Sequence, residues 1–563
     1  MDAVARSDSV LSIKTFFGIN DNVFAKKTRV GEARSLCNFV ITDDGKLKKR
    51  KGFKVVSTNA VTGKILQVID FWTTTMRNYS FLVLTDGALW GYRFQTRTFE
   101  TVYERAVAGE GRCFEYGDKL YLIGGEFVCF DRTLAVSEPE PYIPTLYLNK
   151  SPLGNTFETF EKENMLTDLV REEFLTDSSS KFYLKYKNIS DLKVYVGELS
   201  VTVSPDNVNG TFTASPPLPT GMKAVATYRA AELSSNREEL LKCRRSVFYG
   251  GVGESDLFLW SGDSNKRYYS NGGNITYFPI DNCDTVGEHG YIGDIVCYYD
   301  RMVIFTSSGI YSSELHLSEN GDVSYPVTLL NSSCKNIVGN AAVVDNSPVF
   351  INSNSIKRIE STAVRSEKNL SVISDRISGL LRQHTFNALY DVESRSELWM
   401  TADNTVVIWN YKNDVFYTFE GIRVGYLCER PLTLTFFDTD GYYCEFTEDG
   451  FDQKNDGTTS AISAYCYLEG LDFGSAFRKK QLNDIFVKTE KSENVGGEIA
   501  VIGDISEESS KSLAIKGGLN RLHLRNERFY TLDLLIRSQN VNEALEIDEI
   551  AVAVTDISTV NRK

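Results

Sequence analysis

The sequence predicts an all-β protein: a β-propeller of about seven blades, with one β-sandwich inserted into it and a second at its C-terminal end. Three observations predict this. Aromatic residues are plentiful, with 29 Tyr and 33 Phe among 563 residues, and such side chains suit pleated, half-buried surfaces. Glycine outnumbers proline 41 to 12, which favours tight turns over long linkers. Short apolar runs of strand length recur in sets of about four, separated by polar or glycine-bearing turns.

The elements follow in chain order. Residues 1–55 read as an extended segment and a hairpin, with TDDG as the turn before KLKKRKGFK at 46–54. Charge runs usually cover a solvated face, so this basic cluster reads as a solvated hairpin. Residues 56–140 open the propeller with ILQVIDFW, YSFLVLTD, ALWGYRF and FETVY, then GRCFEYG, KLYLIGG, FVCFD and LAVSE. Pro141 and Pro144 break that rhythm. From there to residue 232 apolar and polar residues alternate between the turns DNVNG and PLPTG, as in a small sandwich inserted in the propeller. A short helix is expected next, with Ser235 as the N-cap of NREELLKC.

The propeller resumes over 233–458. Its first stretch there, VFYGGVGESDLFLWSGDSNKRYYSNGGNITYFP, is read as four strands ending in ITYFP. Its carboxylates sit in turn-like positions, and Trp260 is read as core. Sets around RMVIFTSS, SPVFINSN, NTVVIWNY and LTLTFFDTD continue the pattern. Residues 459–563 form the second sandwich and end in the polar tail STVNRK. Within it RLHLR places Leu522 and Leu524 inward and His523 outward.

Charge and chemistry narrow the function. The net charge is −14 and the pI about 5.1, unlike a protein that grips nucleic acid through a basic patch. The ten cysteines include no C-x-x-C and sit in runs such as FVCF and IVCYY, as reduced, buried small hydrophobes do. The start MDAVARSDSVLSIKTFF lacks a secretory h-region, and no run approaches the ~18 apolar residues of a membrane helix. A soluble chain made in a cytoplasm is expected, with no membrane span.

No catalytic, cofactor-binding or metal-ligating residue is expected, and so no enzyme. His289, His316, His384 and His523 have no i, i+4 companion, and neither G-x-S-x-G nor a phosphate loop occurs. Asp438 and Asp440 in FDTDGYY have calcium-loop spacing but lack the remaining ligands, so Asp-Gly reads as a hairpin turn. SENGDVSY at 318–325 resembles a sialidase turn once only, with Asn320 at the Asp position.

Three pieces stand in order along the chain. The first piece is G-E-A, then Asn-Phe, then G-x-L-x-x-R-x-G, carried by Gly31, Glu32, Ala33, Asn38, Phe39, Gly45, Leu47, Arg50 and Gly52. The second is YIPT with N-M-L-T at 164–167. The third runs from Val247 and Phe248 through Trp260, Ser261, Tyr277, Phe278, Pro279, Val286 and Gly287. It continues through Ile292, Asp300, Met302–Phe305, Ile310 and Tyr311. This ordered set resembles one family, the propeller-bearing tail hub or nozzle (packaged-DNA stabilisation) proteins of tailed bacteriophages, from which this chain departs by an N-K-R-Y-Y insertion before Y-F-P and by an unusually basic N-terminal cluster.

The resemblance implies a structural virion protein, made in the bacterial host cytoplasm and resident in the tail or neck. It implies a ring of six copies below the portal, with portal or adaptor proteins above and tail fibre or tip proteins as further neighbours. Double-stranded DNA would pass through transiently without specific binding, since a negative lumen repels phosphate. The alternative is a receptor-binding or glycan-degrading tail protein. A cellular interaction propeller would carry per-blade signatures, and the dipeptide W-D never occurs.

Overall fold

The computed structural model describes residues 8–22, 28–71, 79–251, 254–319, 321, 323–361, 368–430, 433–491, 494–504, 511–524, 528–541 and 543–557. Asn320 and the tail STVNRK therefore lie outside the described residues. The chain forms two compact units: residues 1–65, 94–99 and 337–563, and residues 66–93 and 100–336. The fold is all-β, a propeller with an inserted and a C-terminal sandwich.

The second unit carries four blades, each a four-stranded antiparallel meander. They are built on Tyr79–Thr85, Lys119–Ile123, Glu254–Trp260 and Arg301–Thr306. Inner strands are buried almost end to end, because both of their faces are covered: Leu82, Leu84, Leu122, Leu257, Met302 and Ile304 have no exposure. The third blade ends differently from expectation. Its fourth strand is Cys283–Thr285, while ITYFP is a turn region packed elsewhere. Asp256 is also not in a turn. It lies mid-strand, 5% exposed, accepting hydrogen bonds from Tyr325 Oη (2.7 Å), Ser270 Oγ (3.3 Å) and Gly273 N (3.4 Å). Trp260 is core, as expected.

The insert holds a six-stranded sheet around Leu169–Leu175 and Lys223–Ala230 and a three-stranded sheet around Thr211–Ala214. Phe174 from the first sheet meets Phe182 and Phe212 from the second, and these two stack at 4.7 Å. Two apolar clusters among the described residues are built of insert residues plus Leu233, with none from a blade. A helix follows at Ser234–Leu241, but Ser235 lies inside its first turn. A 3-10 turn, Ala231–Leu233, feeds it directly, so no side chain caps it.

The first unit carries the remaining three blades, around Ser347–Asn352, Thr405–Asn410 and Leu434–Asp438. The last blade takes its fourth strand from Phe53–Val55, with Phe446 opposite Phe53 and Cys444 opposite Val55. The strand Ser35–Cys37 joins Val415–Glu420 of the sixth blade to Ala464–Leu471 of the sandwich, so a nine-stranded sheet runs through both. Asp8–Ile13, Phe39–Ile41 and Leu47–Lys49 complete the facing sheet with Lys480–Thr489 and Glu546–Asp556. The sandwich is thus built from both ends of the sequence, and one apolar cluster spans it and the blades.

Candidate functional site

The basic cluster at 46–54 is not a solvated hairpin. Side chains alternate across a strand, so Lys48 and Lys49 leave on opposite sides. Lys48 faces outward to Glu546 at 2.7 Å, and Lys46 reaches Glu546 and Asp548 at 3.5 and 3.3 Å. Lys49 is 5% exposed and donates to Ser538 Oγ (3.0 Å) and Asn540 O (3.4 Å). Burial pushes its ammonium down to about 8. Arg50 is buried too. It donates bidentately to Asp452 at 2.8 and 2.7 Å and through Nε to Asn38 Oδ1 at 2.8 Å.

The residues that carry the first piece of the resemblance build this strap. Asn38 sits at φ 55° so that its amide can accept from Arg50 while its Nδ2 donates to Ser463 O at 2.7 Å. Phe39 and Leu47 are fully buried. Gly52 has no room for a side chain, since a Cβ there would lie 1.8 Å from Phe451 O. Glu32 accepts from Asn20 Nδ2 and from the Arg29 amide, both at 2.9 Å.

The second and third pieces meet in the other unit, at the root of the insert. Asn164 Nδ2 donates to the carbonyls of Tyr142 and Thr276, both at 2.8 Å, and its Oδ1 accepts from Leu166 N (3.1 Å) and Phe278 N (3.0 Å). Met165 N donates to Phe278 O at 2.8 Å, and Met165, Leu166 and Phe278 share one apolar cluster with Leu257 and Tyr121 of the blades. Tyr277 packs on Tyr142, ring centroids 4.8 Å apart, and its hydroxyl donates to Lys162 O at 3.1 Å. ITYFP is therefore the seat of the insert. Arg267, from the N-K-R-Y-Y insertion, is wholly buried and joins the third blade to the fourth through Ser313 Oγ (2.9 Å) and Tyr325 O (2.7 Å).

Beside the strap, a cavity of about 370 Å³ opens between the hairpin 40–51 and the sixth blade. Its lining includes Lys48, Lys49, Arg50, Lys51, Arg395 and Lys412 against only Asp43 and Glu397. Glu397 is 7% exposed and accepts from Tyr417 Oη (2.5 Å) and Trp399 Nε1 (2.8 Å). Burial raises its carboxyl above the usual glutamate value, against those two hydrogen bonds and the Arg395 charge. Sequence reasoning missed this site. Its charges come from segments about 350 residues apart, and nothing local marks Glu397 in SELWMT as buried.

The other sequence candidates resolve simply. Asp438 accepts from the amides of Asp440 (3.0 Å) and Tyr442 (2.8 Å) in a hairpin turn where Gly441 has φ 87°. Asp440 pairs with Arg423 instead. His289, His316 and His523 are exposed and His384 is half-buried; His523 faces outward, as expected, 2.8 Å from Asp484. All ten cysteines are free thiols, and burial lifts Cys37 and Cys113 to about 12. Among the described residues, no group of three or more His, Cys, Asp or Glu side chains could hold a metal ion. No described helix is long and apolar enough to cross a membrane.

No protein-family model matches the chain, and no curated protein does. Solved structures similar to it include YCF48 from Cyanidioschyzon merolae, 10% identical with a TM-score of 0.35, covering 70% of this chain and 98% of that one. The WD40 domain of SCAP from fission yeast is 10% identical with a TM-score of 0.23, covering 59% and 84%. An exo-beta-1,3-galactanase from Phanerochaete chrysosporium is 8% identical with a TM-score of 0.22, covering 68% and 99%. At these scores the likenesses carry no argument about what this chain does.

Proposed function

We propose that this protein is a tail hub or nozzle subunit of a tailed bacteriophage, a non-enzymatic ring component that extends the DNA channel below the portal. One observation carries the reading. Part of the residues that carry the family resemblance build two joints, Asn38–Arg50–Gly52 with Asp452 and Asn164–Met165 with Tyr277–Phe278, while the rest of the third piece forms strands of the third and fourth blades. A part that holds a pressurised genome needs its modules fixed to one another, and these residues do that work. The net charge of −14 suits a conduit that DNA slides through, since phosphate is repelled rather than held.

In this reading six copies close a ring through heterologous contacts, with portal or adaptor proteins above and fibre or tip proteins as neighbours. The protein is made in the host cytoplasm and resides in the virion. The second reading, a receptor-binding or glycan-degrading tail protein, is favoured by one feature, the aromatic and basic cavity beside Glu397. Immunogold electron microscopy of particles from the source culture, with antibody to the C-terminal sandwich, separates the two. Label at the neck or central tube supports the hub, label on peripheral fibres supports the alternative, and particles without the protein refute both.

A further inference from the structure

We propose that the cavity between the N-terminal hairpin and the sixth blade binds a monosaccharide-sized organic anion, a sugar acid of the uronic or sialic class, with its carboxylate on Arg395. The proposal goes beyond the hub reading and stands or falls independently of it.

The charge balance of the lining points to an anion. Most of its cations are already neutralised: Lys48 by Glu546, Arg50 by Asp452, Lys51 by Glu448 and Lys412 by Asp43. Two are not. Among the described residues Lys49 donates to the neutral oxygens of Ser538 and Asn540, and Arg395 has no carboxylate at ion-pair distance. Arg395 is exposed at the edge of the cavity, with its guanidinium 5.9 Å from the centre of the Phe446 ring. A planar fork held over an aromatic face is suited to take a carboxylate bidentately.

Size and wall chemistry select the class. A volume of about 370 Å³ suits a small organic ligand and is far more than one inorganic anion fills. A polyphosphate would call for several free cations together, and among the described lining residues only Lys49 and Arg395 lack a carboxylate partner. The half-buried Phe446 ring offers apolar surface for the C–H face of a pyranose. Deeper, the Glu397–Tyr417 pair lines the same space and offers hydrogen-bonding capacity to a ring hydroxyl. One carboxylate, one apolar face and several hydroxyls are what a sugar acid presents.

The test is saturation-transfer NMR and titration calorimetry on the full chain, with galacturonate and N-acetylneuraminate as probes and galactose as the neutral control. At least one acid should bind, galactose should not, and Arg395→Gln should weaken binding about tenfold or more by removing a charge-assisted pair. The melting curve of Arg395→Gln should stay close to the parent's, since Arg395 is exposed and, among the described residues, has no carboxylate at ion-pair distance. Arg423→Gln, which removes an exposed arginine paired to Asp440 elsewhere, should leave binding unchanged. Tighter binding of an oligogalacturonide than of its monomer would identify a polysaccharide residue as the ligand, and equal binding a free sugar acid; both sustain the proposal. Absence of transfer to either acid, equal binding of galactose, or full binding by Arg395→Gln overturns it.

Discussion

The two sandwiches are attached to their blades in opposite ways. The C-terminal one is welded: a nine-stranded sheet and a single apolar cluster continue from the sixth blade into it, and the buried Arg50–Asp452 pair locks the strap that joins them. The insert is pinned. It keeps its own cores, built around Phe182 and Tyr228, and is rooted on the blades through Asn164, a few amide hydrogen bonds, the Tyr142–Tyr277 contact and the burial of Met165 and Leu166 beside Leu257 and Tyr121. The difference teaches that a module can be rigidly continuous with a propeller only when the chain returns to it, here from both termini. An insertion with adjacent entry and exit has only its root to hold it.

The largest expected effect lies in the weld. The Arg50 and Asp452 side chains are 2% and 8% exposed, so Arg50→Ala leaves a buried carboxylate unpaired. It should destabilise the first unit by about 3–5 kcal/mol in denaturant titration. The double variant Arg50→Met, Asp452→Leu should recover much of that loss, because it removes both charges. A loss of under about 1 kcal/mol for Arg50→Ala would show that the strap is not locked by this pair.

The pin should be weaker. Asn164→Ala removes four hydrogen bonds and leaves Phe278 N and Thr276 O to find other partners, so a loss of about 2–3 kcal/mol is expected. Limited proteolysis should then cut near residues 141 and 232 while the C-terminal sandwich stays intact. Cutting that begins in the sandwich would reverse the order of the two joints.

Glu397 should give a pH signature in the first unit. Its folded value is raised, so the folded state binds more protons than the unfolded one between the unfolded value and the raised one. Stability therefore falls as pH rises through that window and stays lowered above it. Glu397→Gln should raise the melting temperature at neutral pH and flatten the profile. Lys49 acts in the opposite direction at the alkaline end: held at about 8, below the usual lysine value, it makes stability rise with pH above that point. The smallest effect belongs to His523→Ala, which breaks an exposed contact to Asp484 and should stay within about 0.5 kcal/mol.

Much of the propeller was legible because four-strand meanders leave a local signature, alternation with a turn residue on time. Asn410 to Val415 and Ser396 at φ 53° show how short those turns are. What was illegible was every strand whose partner is far away. Phe53–Val55 is three residues long and pairs some 390 positions on, so nothing local marks it as part of a blade. ITYFP has the composition of a strand, yet Asn164 claims its backbone donors and acceptors, and a three-residue run closes the blade instead. Lys49 and Arg50 read as solvated because sequence shows their charge and not Ser538 or Asp452. Sequence could show the resemblance motifs in order, but not that two of them touch.

Hydrogen exchange followed by mass spectrometry under native conditions tests the welded-versus-pinned account most directly. The account predicts that peptides covering 415–420, 464–471 and 532–538 share one protection level and open together. It predicts that peptides of the insert, such as 169–175 and 223–230, open at a lower free energy as a separate group. Equal protection of both modules, or an insert that outlasts the C-terminal sandwich, would contradict it.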